Sequence, residues 1–335
     1  MEQALQEGSR SNRQSGALVT VFGGSGFVGR HVVRALARQG YRVRSATRRP
    51  DLAGHLQPMG AVGQIQPVQA NLRYPESIAA ALYGSDAVVN LVGLLVKSGS
   101  QTFEKLHVAG ASAIASAARQ AGVEHLVHVS ALGASAQSPG LYGRTKAAGE
   151  AAVLKEFAGA VILRPSIIFG PEDEFFNRFA AMARTAPLLP LIGGGRTRFQ
   201  PVYVGDVADA IAVACQGRAR PGMVYELGGP EIVTFRQLLD STQQWAGRNH
   251  GYMHLPFWAA KVGAALTLPL PNSIRPLTVD QVRMLEVDNI VGEAAQKDGR
   301  TLRGLGVPAP HAMESIVPGY LEQYRPKGQY SHYRG

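Results

Sequence analysis

Tyr142 and Lys146 stand four residues apart in Leu141-Tyr142-Gly143-Arg144-Thr145-Lys146, so on a helix they share one face. An ammonium beside a phenol favours the phenolate and draws the tyrosine pKa down toward a range useful for proton transfer. Ser130 lies twelve residues upstream, and its hydroxyl can orient a reacting carbonyl or hydroxyl. Taken alone, Tyr-x-x-x-Lys is mostly a surface helical pair. A second cluster gives it weight. Gly23, Gly26 and Gly29 fall at spacing three in Val21-Phe22-Gly23-Gly24-Ser25-Gly26-Phe27-Val28-Gly29-Arg30, the G-x-x-G-x-x-G form of a dinucleotide-binding turn. Gly23 permits the tight turn, Gly26 lets backbone N–H groups approach a pyrophosphate, and Gly29 lets the helix lie close on the strand.

The elements around these residues have to place them together. Ala17 to Phe22 reads as a buried parallel strand, and Val32, Val33, Leu36 and Gln39 carry a helical pattern that stops at Gly40. The helix N-terminus offers free N–H donors and a positive dipole end to phosphates. A second strand, Arg42 to Ala46, runs into Thr47-Arg48-Arg49-Pro50. An acidic residue usually stands there to hold the ribose 2′-hydroxyl of NAD. Two arginines would attract a 2′-phosphate and select NADPH, and the plain alternative is a solvated basic loop. Further strands are expected at Ile65 to Gln69, Ala87 to Leu91 and His125 to Ser130, with helices from Pro75 and over Thr102 to Ala121. This alternation specifies an α/β fold, a Rossmann-type doubly wound parallel sheet. Ser130 would end the fifth strand, on the carboxyl edge where such sheets bind ligands.

With 335 residues, 45% hydrophobic and 17% charged, the chain is an ordinary globular sequence with room for a large core. Its single cysteine, Cys215, excludes an internal disulfide or a cysteine-based zinc site, and the histidines are scattered, so no metal site is read. A formal net charge of +10 favours anionic partners. The arginines are dispersed and accompany no nucleic-acid motif, so nucleic acid is ranked last. No uninterrupted apolar run is long enough for a transmembrane helix. Residues 1–16 read as a flexible arm, 17–217 as the nucleotide-binding domain with contributions from later segments, 218–324 as a smaller C-terminal lobe and 325–335 as an extended basic tail.

On these motifs, about residues 17 to 290 resemble the short-chain dehydrogenase/reductase superfamily in its extended or atypical branch. The resemblance implies Ser130, Tyr142 and Lys146 at the catalytic positions, with Lys146 also bonding the nicotinamide ribose. It implies a cofactor site drawing on Gly23, Gly26, Phe27, Val28, Gly29, Arg48, Arg49, Asn71, Leu72, Asn90, Val92 and Gly93, together with Pro165, Ile167 and Ile168 in Leu163-Arg164-Pro165-Ser166-Ile167-Ile168-Phe169. Phe199 to Ala208 resembles the segment returning from the substrate lobe; its plain reading is a helix N-cap at Asp206. Two positions depart from the pattern. Asn71 replaces the usual aspartate, and His107 stands where the family often places an asparagine that holds a proton-relay water. The glycine turn, the Arg48-Arg49-Pro50 loop and Leu277 to Val291 together resemble one subgroup, the alpha-subcomplex subunit 9 type of accessory subunit of respiratory complex I (NADH:ubiquinone oxidoreductase). That resemblance implies a structural NADPH and a peripheral position at the membrane near the quinone-reaction region. The implied setting is the cytoplasmic face of a bacterial inner membrane, or the matrix side of the mitochondrial one. The implied partners are the core subunits of the complex, with the membrane surface and anionic lipid. The alternative is an active NADPH-dependent reductase or epimerase-like enzyme, because Tyr142 and Lys146 are kept.

His254 to Leu277 gathers Phe257, Trp258, Val262, Leu266 and Leu268, with Lys261 and Arg275 at the margins, and prolines at 256, 269, 271 and 276 forbid one long helix. It reads either as a lid packed on its own domain or as a short amphipathic helix at a membrane or subunit contact.

Overall fold

The computed structural model describes residues 16–94, 102–267 and 277–326. Of the sequence features named above, residues 1–15 of the N-terminal arm, the tail from residue 327, and Leu268, Pro269, Pro271, Arg275 and Pro276 lie outside the described residues.

The first half alternates strand and helix: β1 (Leu18–Phe22), α1 (Phe27–Arg38), β2 (Arg42–Thr47), β3 (Ile65–Gln69), α2 (Pro75–Leu82), β4 (Ala87–Asn90), α3 (Ala111–Gln120), β5 (His125–Val129), α4 (Leu141–Glu156) and β6 (Val161–Pro165). Glu104–Gly110, the first half of the helix expected from Thr102, winds as a π-type stretch before α3. The second half carries β7 (Ile168–Phe169), α5 (Phe176–Thr185), β8 (Leu188–Ile192), β9 (Arg198–Phe199), β10 (Val202–Tyr203), α6 (Val204–Cys215), β11 (Val224–Leu227), β12 (Val233–Thr234), α7 (Phe235–Trp245), β13 (Gly251–Leu255), α8 (Phe257–Leu266), α9 (Val279–Met284), α10 (Glu293–Lys297) and α11 (Met313–Leu321).

The main sheet among the described residues has seven parallel strands in the order β11-β6-β5-β4-β1-β2-β3. Both faces are covered, which is why β1 and β4 are buried at every residue and are apolar apart from Thr20 and Asn90. Val32, Val33 and Leu36 of α1 and Val207 and Ile211 of α6 pack on one face. Ile78 and Leu82 of α2, Ile114 and Ala118 of α3 and Val153 of α4 pack on the other. Strand order reverses between β1 and β4, so the crevice at their carboxyl ends is the ligand position for this topology.

The smaller lobe has its own aromatic core of Phe169, Phe176, Phe179, Phe199 and Phe235, closed by Met313, Val317 and Leu321. Segments on both sides of residue 217 pack in the other lobe, Leu302 and Leu305 in the main core among them. β8 pairs in parallel with β13 in this lobe, whereas β11, later in sequence, pairs with β6 in the main sheet. A cap at Asp206 is not what forms. Tyr203 is the N-cap of α6, and Asp206 sits buried in its first turn. Its carboxylate turns instead to the His311 backbone N–H, 2.8 Å away, and to His311 Nδ1 at 2.7 Å.

The turn after β1 is where glycine is required. Gly23 has φ of +82°, and its N–H donates to the Ala46 carbonyl at 3.1 Å. A Cβ on Gly29 would collide with the Gly23 carbonyl oxygen and lie 2.6 Å from the Gly24 backbone. Gly24 is tight as well, since its Cβ would meet Ser45 Oγ at 2.5 Å. Gly29→Ala is therefore expected to lower stability by about 2–3 kcal/mol in chemical denaturation. Gly54→Ala, where a Cβ meets nothing within 4 Å, should stay within about 0.5 kcal/mol of wild type; equal effects would show that the turn is not sterically constrained.

Candidate functional site

Four chain segments converge on the carboxyl edge of β1, β4 and β5: the glycine turn, residues 90–94, Ser130 and the start of α4. Gly26 is exposed and is the N-cap of α1 at φ −77° and ψ −179°, extended backbone open to any residue. A Cβ there would meet only the Gly23 carbonyl, at an ordinary 3.4 Å. The absence of a side chain at 26 leaves the helix N-terminus open, room that a pyrophosphate could use. Phe27 stands beside it, with its ring against Gly170 and edge-on to His31, and Val28 packs on the core beneath. Ser25 Oγ lies 3.3 Å from Thr47 Oγ1, which ties the turn to the end of β2.

Arg48 and Arg49 follow Thr47, and both are exposed. Arg49 forms a bidentate pair with Asp51, 2.8 Å at the shortest contact, whereas Arg48 makes no hydrogen bond or ion pair among the described residues. Asn71 closes an Asx turn by accepting the Arg73 N–H at 3.2 Å, and Leu72 leans on Gly110. Asn90 is buried and committed. Its Oδ1 takes the Val92 N–H at 3.0 Å, and its amide donates to His128 Nδ1 at 3.0 Å. It thus shapes the 90–94 loop through structural bonds. A Cβ on Gly93 would sit 3.3 Å from Lys146 Nζ, so this loop borders the ammonium directly.

Ser130 is buried at the end of β5, its N–H bonded to the Leu163 carbonyl at 2.7 Å and its Oγ without a partner among the described residues. An orphaned buried hydroxyl is costly, and this one sits where a ligand of the sheet would be. Pro165 ends β6, and Ile167 and Ile168 continue into β7, which pairs with β10.

Tyr142 and Lys146 do share a face of α4. Lys146 is buried, donates to the Val129 carbonyl at 3.1 Å, and has its Nζ 6.0 Å from the centre of the Tyr142 ring. Burial holds its pKa at about 8, against the pull of Glu150 one turn on. The expected effect on the tyrosine does not appear. Burial pushes the Tyr142 phenol up to about 12, and the ammonium donates to the Val129 carbonyl. Tyr142 is therefore a protonated phenol at neutral pH. His107 packs edge-on to its ring at 5.4 Å and stacks on Phe103 at 5.3 Å. His107 Nε2 accepts the Leu94 N–H at 3.1 Å, so the proton is assigned to Nδ1, which donates to Thr145 Oγ1 at 3.0 Å. The threonine hydroxyl in turn donates to the Tyr142 carbonyl. Burial, with the Lys146 charge second, lowers the His107 pKa to about 3. The histidine is a neutral strut between residue 94 and α4, with both nitrogens used.

The start of α4 holds a contact that local patterning did not show. Its N-cap is Gly140, which has no side chain to cap with. The Asp280 carboxylate, from α9, accepts the N–H groups of Leu141 at 2.5 Å and Tyr142 at 3.0 Å. The capping box Thr278-x-x-Gln281 that opens α9 has a sequence signature; the 139-residue reach of Asp280 has no local signal.

Residues 19–228 match the model of the NAD dependent epimerase/dehydratase family. The chain is 36% identical over 332 residues to NADH dehydrogenase (ubiquinone) 1 alpha subcomplex subunit 9, mitochondrial, of Arabidopsis thaliana, covering 96% of this chain and 81% of the relative. The protein of the same name from Rattus norvegicus is 40% identical over 316 residues, covering 92% and 81%. Among solved structures, an NADPH-dependent quinone oxidoreductase from Escherichia coli, complexed with NADPH, superposes with a TM-score of 0.70 at 20% identity, over 90% of this chain and 99% of that one. At that identity the likeness is one of fold.

The buried ammonium has a thermodynamic signature. Its folded pKa of about 8 lies below the ordinary 10.5, so between these values the unfolded chain holds more protons. The penalty is full below pH 8 and is relieved as pH rises through the window. Lys146→Met should stabilise the nucleotide-free protein at pH 7 by up to about 3 kcal/mol. The advantage should fade by pH 10.5. A pH-independent difference in denaturation midpoints would refute the assignment.

Proposed function

The chain belongs to the NAD dependent epimerase/dehydratase family and, within it, to the family of the complex I alpha subcomplex subunit 9 proteins, and from that premise we propose that it is an accessory subunit of respiratory complex I that holds a tightly bound NADPH at the membrane periphery. The observation that carries the reading is identity of 36–40% to those subunits over more than nine-tenths of the chain. The site supports the nucleotide. The unforced glycine at 26 and the free N-terminus of α1 suit a pyrophosphate, and Arg48 and Arg49 suit a 2′-phosphate. Ser130, with a hydroxyl that has no partner among the described residues, and Lys146, an ammonium with three donors and one acceptor among them, suit the nicotinamide end. Bound NADPH would supply a hydride donor; as a permanent ligand it also stabilises by mass action, about 4 kcal/mol at a thousandfold excess over its Kd.

The C-terminal lobe supports the peripheral position. Trp258, Val262 and Leu266 are exposed at 70%, 53% and 76% and recur every fourth residue, forming one stripe on α8. The opposite face packs Ala260 and Ala264 against Val282. An apolar stripe on a helix anchored from behind suits an interface. No helix among the described residues is long and apolar enough to cross a membrane. The core subunits of the complex, the membrane surface and anionic lipid are then its partners. The setting is the cytoplasmic face of a bacterial inner membrane or its mitochondrial matrix-side equivalent.

The Tyr142–Lys146 pair favours a second reading, an NADPH-dependent reductase. With its pKa near 12, Tyr142 would act as the acid, giving its proton to a carbonyl oxygen oriented by Ser130.

Gentle purification from membranes, with mass spectrometry of companions and nucleotide, tests the choice. Complex I core subunits with near-stoichiometric NADPH are expected. A free soluble protein that releases NADP⁺ readily would overturn the structural role in favour of the reductase. Replacing Arg48 and Arg49 together by glutamine should weaken NADPH by about 10- to 100-fold, the scale of charge-assisted phosphate contacts, with little change for NADH. Equal weakening of both would remove the arginines from the 2′-phosphate.

A further inference from the structure

We propose that Asp280 is a positioning residue for the nicotinamide end of the site, setting Tyr142 and Lys146 through the first turn of α4. The inference rests on the reading that the site holds a nicotinamide nucleotide. A helix begins with N–H groups that its own backbone cannot satisfy. Most helices cover them with the side chain of the N-cap residue. In α4 that residue is Gly140, which has no side chain to offer, and a Cβ there would lie 2.8 Å from Met284 Sδ, so a side chain would have to displace the end of Met284. The helix packed against Gly140 also brings the acceptor that Gly140 lacks. Asp280, one turn before Met284, supplies the acceptor for Leu141 and Tyr142 and places a negative charge at the positive end of the helix.

A general clasp between lobes would work anywhere along α4. This one bonds the amide of Tyr142 itself. Lys146 follows one turn later on the same face, so a frayed first turn would move the phenol and free the ammonium from Val129. The strand ends on either side are tied to the same segment. Asn289 donates from Nδ2 to the Leu132 carbonyl at 3.2 Å, and its Oδ1 accepts from Ser166 Oγ at 2.7 Å. Leu132 lies just past β5 and Ser166 just past β6, beside Ser130 and Pro165. Residues 278–291 thus fix the end of β5, the start of α4 and the end of β6 relative to one another. Asp288 anchors the far side: its Oδ2 accepts from Arg198 Nη2 at 2.7 Å and Nε at 2.8 Å, and its Oδ1 accepts the Arg198 backbone N–H at 2.8 Å.

The test uses the full chain with three variants: Asp280→Ala, Asp280→Asn, which keeps an oxygen acceptor, and Glu286→Ala. The last breaks the 2.6 Å ion pair with Lys261 in the same segment without touching α4. Affinities are measured for NADPH and for 2′,5′-ADP, which lacks the nicotinamide half, together with the emission of bound NADPH. Asp280→Ala should weaken NADPH about tenfold, the effect of one lost cap, and 2′,5′-ADP less than about twofold. Bound-NADPH emission should move toward that of the free nucleotide. Asp280→Asn, whose single oxygen can accept from only one of the two amides, should recover part of the loss, and Glu286→Ala should match wild type. Equal loss for both nucleotides, or none for either, would overturn the proposal. Hydrogen exchange of the nucleotide-free protein provides an independent readout. The Leu141 and Tyr142 amides should exchange faster in Asp280→Ala and not in Glu286→Ala. Were wild type to bind neither nucleotide, the functional reading would fall while exchange still decided the role of Asp280; unchanged exchange would refute it.

Discussion

The contact between Gly29 and the backbone of Gly23 and Gly24 governs the rest of the site. It lets the first turn of α1 fold onto the turn that leaves β1, so the free amides of the helix arrive beside the carboxyl end of that strand. The central position of β1, between β2 and β4, then determines which other strand ends can face those amides. Residues 90–94 and Ser130 can do so because β4 and β5 follow on one side, and the arginine loop can because β2 follows on the other. A bulkier residue at 29 would separate helix from turn and displace the reference point from which these pieces are aligned.

The second determinant is charge in a buried place. Lys146 is the ammonium around which the neighbouring groups adjust. His107 and His128 are both held neutral, with pKa values near 3, chiefly by burial and next by the repulsion of that ammonium. Neutral imidazoles can accept hydrogen bonds, which is how His107 takes the Leu94 amide and His128 takes the Asn90 amide. Burial, reinforced by the ammonium, thus keeps both imidazoles as acceptors for the loop over Lys146. The same low-dielectric setting keeps the Tyr142 phenol protonated.

What could be read from the sequence was what is local. The β1–turn–α1 unit, the strands at 42, 65, 87 and 125, and the shared face of Tyr142 and Lys146 each depend on residues within about a dozen positions, where periodicity and glycine spacing carry the information. Three features depended on longer reach. The phenol shifts opposite to the pairwise expectation, since burial outweighs a cation turned toward another acceptor. Asp206 has the residue type of a helix cap, yet it lies inside the first turn and its carboxylate goes to His311, 105 residues away. Asp280 caps a helix whose own cap position is glycine, and no pattern around 140 or 280 announces the pairing.

The interleaving of the two lobes bears on how the chain is made. α5 and β8 leave the main sheet at residue 176 and find their packing partners in α7, β13 and α11, the last beginning at Met313. At translation rates of about 5–20 residues per second, Phe176 and Phe179 would wait on the order of ten seconds for the helix that closes over them. For a shorter interval β6 also remains an edge strand, its outer hydrogen-bonding groups unpaired until residues 224–227 emerge. A nascent chain of this protein therefore displays an aromatic helix and an open parallel edge together, an exposure set by the order of its segments rather than by their composition.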